Sequence, residues 1–171
     1  MSPVATQLVG SVLFTDLVGF TEYNDVCGDE AAVRVLDRQR AVLDATLRCH
    51  PGSRLVKELG DGLMIWNPDA LGGLEVATGF AAAIQAAREN EGFPLAVRLG
   101  LHHGPVIERG DDVVGQTVNV AARIAALAGP GELLVSDELL AACQGVRAGA
   151  LAVGPVSVKG VADPVWLHRL A

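Results

Sequence analysis

An aspartate closing an apolar run is the first residue that invites chemistry. Val12-Leu13-Phe14 leads to Asp16, and burying an unpaired charge at the end of such a strand is costly unless something binds it. A second aspartate, Asp61, stands between Gly60 and Gly62 at the tip of a predicted hairpin that pairs beside the first strand. Two carboxylates on adjacent strand ends can hold hard divalent cations; magnesium favours one or two carboxylates plus substrate phosphates over an all-protein cage. Two such ions about 3.5–4 Å apart can clamp the attacking and leaving oxygens of an in-line phosphoryl displacement. Taken singly, Asp16 could cap the next helix and Asp61 could serve the turn.

Other residues carry weaker signals that gain meaning together. Gly19 and Phe20 follow Asp16 closely, and a glycine at a helix start lets backbone N–H groups approach a phosphate. Lys57 lies in an apolar strand four residues before Asp61. It reads as a solvated edge lysine unless it has a partner, and Asp112 can be that partner. An ammonium donating to adenine N1 and a carboxylate accepting from N6 read the adenine edge; guanine presents the opposite pattern. Asn119 and Arg123 are spaced i, i+4 on a predicted helix and share a face. Either they form a solvated patch, or Asn119 orients a sugar while Arg123 stabilises charge on a reacting phosphate. Lys159, beside Gly160 at a strand end, could meet terminal phosphates.

The elements that must position these residues are legible from periodicity. A strand through Val12–Phe14 ends at Asp16, and a glycine turn leads to a helix start. Ala32, Leu36, Leu43 and Leu47 fall on one helical face between Asp29 and Cys49, with Asp29 as the expected N-cap. Strands over Arg54–Leu59 and Leu63–Trp66 flank Gly60-Asp61-Gly62 as a tight hairpin. Residues 71–89 read as a helix with Leu71, Leu74, Thr78, Ala81 and Ile84 inward. Ala96–His102 reads as a strand turned by Gly104-Pro105. Asp111-Asp112 leads into Val113-Val114-Gly115 and a helix from about Thr117 to Leu127, with Val118, Ala122 and Ile124 available to the core. Gly129-Pro130-Gly131 stops it. Leu133–Val135 is a strand, Asp137–Cys143 a short helix, and Val146–Leu170 short antiparallel strands. This order predicts an α/β (α+β) fold: a ferredoxin-like βαββαβ sandwich on a mostly antiparallel sheet, with extra C-terminal strands.

Composition narrows the function classes. The chain has 171 residues, 50% hydrophobic and 19% charged, which excludes low-complexity disorder as the main state and suits one domain over 1–171. Thirteen basic against 20 acidic residues give −7, which argues against a nucleic acid polymer or an anionic membrane as the main partner. Cys27, Cys49 and Cys143 are odd in number and lack CxxC spacing, so no disulfide frame or zinc site is expected. No run reaches the roughly 18 apolar residues of a membrane span, the N-terminus lacks a basic start, and the expected location is cytoplasmic. His50, His102, His103 and His168 read as packing residues.

In order along the chain stand Phe14-Thr15-Asp16-Leu17-Val18-Gly19-Phe20-Thr21, Val56-Lys57-Glu58-Leu59-Gly60-Asp61-Gly62 and Gly100-Leu101-His102-His103-Gly104-Pro105. Asp112-Val113-Val114-Gly115-Gln116-Thr117-Val118-Asn119-Val120-Ala121-Ala122-Arg123, Pro130-Gly131-Glu132-Leu133 and Val158-Lys159-Gly160 complete the set. With these motifs the chain resembles the catalytic domain of class III adenylyl/guanylyl cyclases over nearly its whole length.

The resemblance implies the nucleotide cyclase fold and a role for each position. Asp16 and Asp61, with the Leu17 carbonyl, would hold two Mg2+ or Mn2+ ions per site. Lys57 and Asp112 would select adenine. Asn119 and Arg123 would act on the transition state, and Lys159 would bind the triphosphate, near Gly19 and Phe20. It implies ATP as substrate, cyclic AMP and pyrophosphate as products, and a head-to-tail homodimer with shared sites. One chain would supply the metal aspartates, and the other the base-reading and transition-state residues. The segment from Gly104 to Asp112 is short compared with the longer arm of many relatives, and at this chain length no attached sensor or membrane domain is expected. Rival readings are a guanylyl cyclase, which Lys57 and Asp112 speak against, and a non-catalytic nucleotide-binding module of the same fold. A palm-like domain condensing two nucleotides is a third, but its acidic signature loop has no counterpart.

Overall fold

The computed structural model describes residues 5–144 and 149–170. A long first strand, β1 (Thr6–Leu17), leads to α1 (Phe20–Cys27) and α2 (Asp29–Leu47), then to the hairpin β2 (Arg54–Leu59) and β3 (Gly62–Asn67). Next come α3 (Ala70–Asn90), β4 (Val97–Arg109), β5 (Asp112–Val114), α4 (Gln116–Leu127), β6 (Leu133–Ser136), α5 (Asp137–Ala142), β7 (Ala150–Val156) and β8 (Val165–Leu170). The sheet runs β2-β3-β1-β4-β6-β8-β7, with β5 pairing β4 off that path. Only the β4–β6 pairing is parallel among the described strands. The first four strands of the path therefore follow the ferredoxin-like βαββαβ order, and β6, β7 and β8 extend it, as the sequence predicts.

Alternation along β1 assigns the two faces. Leu13 and Leu17 point into a core shared with Leu43 of α2, Phe80 and Ile84 of α3, and Leu139 of α5. Val12 points the other way, onto Ala121 of α4, and Phe14 packs beside it. Period-2 geometry then puts Asp16 on the α4 side. The opposite side of α4 meets β6 and β8 through Val120, Ile124, Leu134 and Leu167.

Close approach of α4 to the sheet depends on a missing side chain. A Cβ on Gly100 of β4 would lie 2.1 Å from the Ala125 nitrogen and 2.6 Å from its Cα. Backbone cannot move aside as a flexible side chain can, so only glycine lets this helix rest on this strand.

Several local expectations are corrected. Asp29 is the first residue of α2, and Gly28 takes the cap position with no side-chain bond; Asp29 still complements the positive helix end. In α3, Leu71 is exposed, as is Thr78. The buried face runs through Leu74, Ala77, Phe80, Ile84 and Ala87, because the small residues of this helix leave Phe80 and Ile84 as the bulk that fills the core. By length and composition α3 could cross a bilayer, but that face is packed on the sheet. In α4 the fully buried residues are Thr117, Val120, Ala121, Ile124 and Ala125, with Val118 and Ala122 half-buried.

Gly104-Pro105 does not turn the chain: β4 continues to Arg109, paired to β1 through Gly104 and Pro105. β6 pairs residues 99–101 and β5 pairs 107–109. Pro105 thus sits where β1 is the one paired neighbour among the described strands, and its missing N–H can be tolerated. Val146, the expected start of the C-terminal strands, lies outside the described residues. Each histidine has a partner: His102 Nδ1 is 2.7 Å from Ser136 Oγ, His103 Nδ1 is 3.1 Å from Ser11 Oγ, and His168 Nε2 is 3.1 Å from Asp137 Oδ1. His50 Nδ1 is 3.6 Å from Glu75 Oε2. Cys27, Cys49 and Cys143 are free thiols.

Candidate active site

The two aspartates converge. Asp16 is the last residue but one of β1, and the two-residue Gly60-Asp61 connection brings Asp61 beside it, since β3 pairs β1. The Asp61 carboxyl is held above the ordinary carboxylate range, first by burial and then by the neighbouring Asp16 charge and a hydrogen bond to it. Backbone and side chain fix Asp61 from two further directions. Leu17 N–H donates to Asp61 Oδ2 at 3.2 Å, and Gln39 Nε2 donates to the Asp61 carbonyl at 3.2 Å. Gln39 reaches it from inside the fold, only 1% exposed.

Arg98 of β4 reaches Asp16. Its Nη2 is 2.6 Å and its Nε 2.8 Å from Asp16 Oδ2. Asp16, Gly62, Leu59 and Arg98 line an open cleft of about 200 Å3 against Ala122 and Ala126 of α4. Three residues after Asp16, Gly19 turns the chain into α1 with φ 77, a left-handed conformation that glycine adopts at no steric cost. Helix α1 begins with Phe20, whose ring packs on the core, so the helix's free N–H groups open three residues from Leu17.

Two carboxylates and a nearby backbone carbonyl are hard oxygen donors that suit magnesium or manganese. Burial and then the neighbouring Asp16 charge disfavour the ionised Asp61 carboxyl, and a divalent cation would offset both, so the residues present fit such an ion. Among the described residues no cluster of three or more His, Cys, Asp or Glu could hold a metal ion by itself.

Lys57 and Asp112 meet, although they lie on strands that do not pair. Lys57 Nζ is 2.8 Å from Asp112 Oδ2, and both side chains are about two-fifths exposed, at 38% and 40%. Asp112 Oδ1 accepts from the Val113 N–H at 2.8 Å, which sets the orientation of the carboxylate. Asn119 and Arg123 stand on the outer face of α4, and with Lys159, Ser157 and Val158 they line a second cleft of about 500 Å3. Gln116 Nε2 donates to the Gly160 carbonyl at 2.6 Å and ties the Lys159 turn to the start of α4.

The expected residues thus form three groups: Asp16 with Asp61, Lys57 with Asp112, and Asn119 with Arg123 and Lys159. Neither cleft is lined by both the carboxylate and the Asn119–Arg123 groups within one chain. Sequence reading missed Arg98, Gln39 and Gln116. Arg98 carries the signal that singled out Lys57, a cation in an apolar strand. Its partner shows only through the β1–β4 register, which pairs Asp16 with Arg98.

Comparison with known proteins bears on this arrangement. Residues 5–169 match the family described as the adenylate and guanylate cyclase catalytic domain. The chain is 30% identical over 173 residues to the pH-sensitive adenylate cyclase MT1302 of Mycobacterium tuberculosis (strain CDC 1551 / Oshkosh), covering 98% of this chain and 41% of that protein. It therefore spans about two-fifths of that relative's length. Its fold is that of the adenylyl cyclase CyaB from P. aeruginosa, with a TM-score of 0.87, 22% identity and coverage of 98% and 95%. The guanylyl cyclase Cya2 superposes with a TM-score of 0.82 at 24% identity, covering 100% of this chain and 94% of that one. A sheet that sets two acidic strand ends beside a cation-bearing helix, matched over nearly its full length by one family, has one reading: the chain belongs to the nucleotide cyclase catalytic domain family.

Proposed function

We propose that the chain is an adenylyl cyclase, acting as one catalytic unit over its 171 residues and converting ATP to 3′,5′-cyclic AMP and pyrophosphate. The observation that carries the choice of ATP is the Lys57–Asp112 contact of 2.8 Å. It sets a donor and an acceptor side by side, the complement of adenine N1 and N6. Guanine would present a donor to the ammonium and an acceptor to the carboxylate, and unpaired polar groups in a closed site are what discriminate.

In this reading Asp16, Asp61 and the Leu17 carbonyl hold Mg2+ or Mn2+, two ions per site. When bound, the ions supply Lewis acidity to the ribose 3′-hydroxyl and neutralise the departing pyrophosphate. The 3′-oxygen bonds to the α-phosphorus, the bond to the β-phosphate bridging oxygen breaks in line with it, and the hydroxyl proton passes to solvent. Asn119 holds the ribose so that its 3′-oxygen is aligned. Arg123 donates to the α-phosphoryl oxygens as charge builds there, and Lys159 holds the terminal phosphates. The free N–H groups at Gly19 and Phe20 cradle phosphate oxygens at the start of α1. Catalysis is then mostly positioning and electrostatics.

The separation of the two clefts supports a head-to-tail homodimer. In it the carboxylates of one chain face Asn119, Arg123, Lys159 and the base-reading pair of the other. The deciding experiment supplies the purified chain with ATP or GTP, with magnesium or manganese, and separates the products. Cyclic AMP formed in preference to cyclic GMP is expected. Nucleotide binding without any cyclic product would reject catalysis, and preferred turnover of GTP would reject the base assignment.

A further inference from the structure

Lys57 and Asp112 belong to strands with no backbone bond between them. β2 is the edge of the sheet and pairs β3, whereas β5 pairs β4. Side chains bridge the gap, and among the described residues Lys57–Asp112 is one of two such bridges. The other is Arg54, also on β2. Its Nη1 donates to the Asp111 carbonyl at 2.6 Å, and its Nη2 is 3.5 Å from Glu108 Oε1. Asp111 immediately precedes Asp112, and Glu108 lies across the same hairpin.

Residues three apart on a regular strand face opposite sides of a sheet. Arg54 and Lys57 nevertheless both engage the β4–β5 hairpin, because the β2–β3 register shifts between Leu55 and Lys57. Such a bulge adds one residue and re-aims the side chains beyond it. The arrangement has a use once a base arrives. A base that accepts from Lys57 Nζ and donates to Asp112 Oδ2 takes over those partners, and the direct bridge no longer fixes the distance between them. Arg54 remains, a planar fork gripping a backbone carbonyl and a carboxylate on the hairpin.

We propose that Arg54 is a positioning residue for base selection, holding the hairpin that carries Asp112 at the spacing from Lys57 that the adenine edge requires. The inference rests on the reading of Lys57 and Asp112 as the base-reading pair. Arg54 touches no substrate; it acts through where it holds Asp112. Its loss loosens the contacts that favour adenine and leaves the α4 residues that act on the phosphate in place.

The test compares the full chain with Arg54→Met and Lys57→Met, measuring kcat and KM for ATP and for GTP. Binding of 3′-deoxy-ATP and 3′-deoxy-GTP, which lack the attacking hydroxyl, is measured beside them. For Arg54→Met we expect the ATP-over-GTP ratio of kcat/KM to fall by about 10-fold. Most of that change should lie in KM for ATP, with kcat kept within about 3-fold. Binding of 3′-deoxy-ATP should weaken while that of 3′-deoxy-GTP holds. A residue important only for folding would lower activity on both nucleotides together. If Arg54→Met does not fold, Arg54→Gln decides by the same ratio. A ratio that responds to Lys57→Met and is unmoved in a folded Arg54 variant overturns the role of Arg54 alone. A wild-type chain inactive on ATP, or a ratio indifferent to Lys57→Met, overturns the base-reading assignment and the proposal with it.

Discussion

Arg98 Nη2 lies 2.6 Å from Asp16 Oδ2, and the two residues are paired opposite one another in the β1–β4 ladder. The carboxylate nearest the cleft is therefore already partnered by a cation, while Asp61 beside it is the one pushed toward its protonated form. Two neighbouring acids thus stand against one fixed positive charge, which pairs with Asp16, and together they are one positive charge short of balance.

The shortage predicts that Asp61→Asn stabilises the metal-free protein. Its carboxyl is held above its unfolded value, so ionisation favours unfolding. The stability available at low pH is lost as pH rises from the ordinary carboxylate range through the raised folded value. In EDTA at pH 7, urea denaturation should show a gain of about 0.5–1 kcal/mol, discounted for a half-exposed site. Cyclase activity should vanish. Magnesium should raise the Tm of the wild type and leave that of the variant unchanged.

Division of the site between two chains predicts complementation. Asp16→Ala and Arg123→Ala should each be nearly inactive alone. Their mixture should regain activity, because one of the two clefts in a heterodimer is intact. Assay of a mixture shown to contain heterodimers checks this, and absence of recovery rejects the shared site.

Arg123→Ala alone should lower kcat by about 10²–10³-fold with little change in KM, as when a transition-state donor is removed. Steady-state kinetics with ATP separates this from a binding defect, which would raise KM instead.

Helix α4 reaches its place through Gly100, so Gly100→Ala should be far costlier than its size suggests. A methyl group 2.1 Å from the Ala125 nitrogen forces helix and strand apart. About 1–3 kcal/mol of stability should be lost, together with activity, as Asn119 and Arg123 shift. Gly92→Ala, in a loop where the added Cβ meets nothing within 4 Å but φ is 64, separates the two kinds of glycine: it should cost less and leave activity intact. Denaturant melts and kcat measure both.

His102 predicts an acid limit to stability. Burial lowers its pKa to about 4, with Glu138 opposing and His103 reinforcing the shift. The unfolded chain takes up a proton near pH 6.5, and the folded chain does not until about pH 4. Stability is thus fully present above pH 6.5 and falls as pH drops through that window. His102→Gln should flatten the dependence, measured as urea midpoints between pH 7 and pH 4.5.

Much of the molecule was legible in the sequence because local patterns determine it. Apolar runs ended by Asp16, glycines around Asp61, and the i, i+4 spacing of Asn119 and Arg123 all survive into the structure, as does the meeting of Lys57 with Asp112. The rest depends on register. Arg98 faces Asp16 only because β1 and β4 pair along their length, and β4 outlasts its proline only because one neighbour at that point suffices. Gly28 displaced Asp29 from its cap, and Leu71 faces outward where a periodic reading put it inward, since the size of Phe80 and Ile84 decides which side of α3 fills the core. Gln39 gave no warning at all: a buried amide in a helix becomes meaningful only when the carbonyl it holds is known.

Strand β4 carries more than its own residues. It is paired to the strand bearing Asp16, hairpinned to the one bearing Asp112, and pressed at Gly100 against the helix bearing Arg123. In a two-fold assembly the first of these serves one cavity and the last serves its twin. A single stiff ribbon would then be common to both workplaces, and a nucleotide seated in one would tug on the furniture of the other. Unequal affinities for the first and second ATP would be the signature of that shared beam.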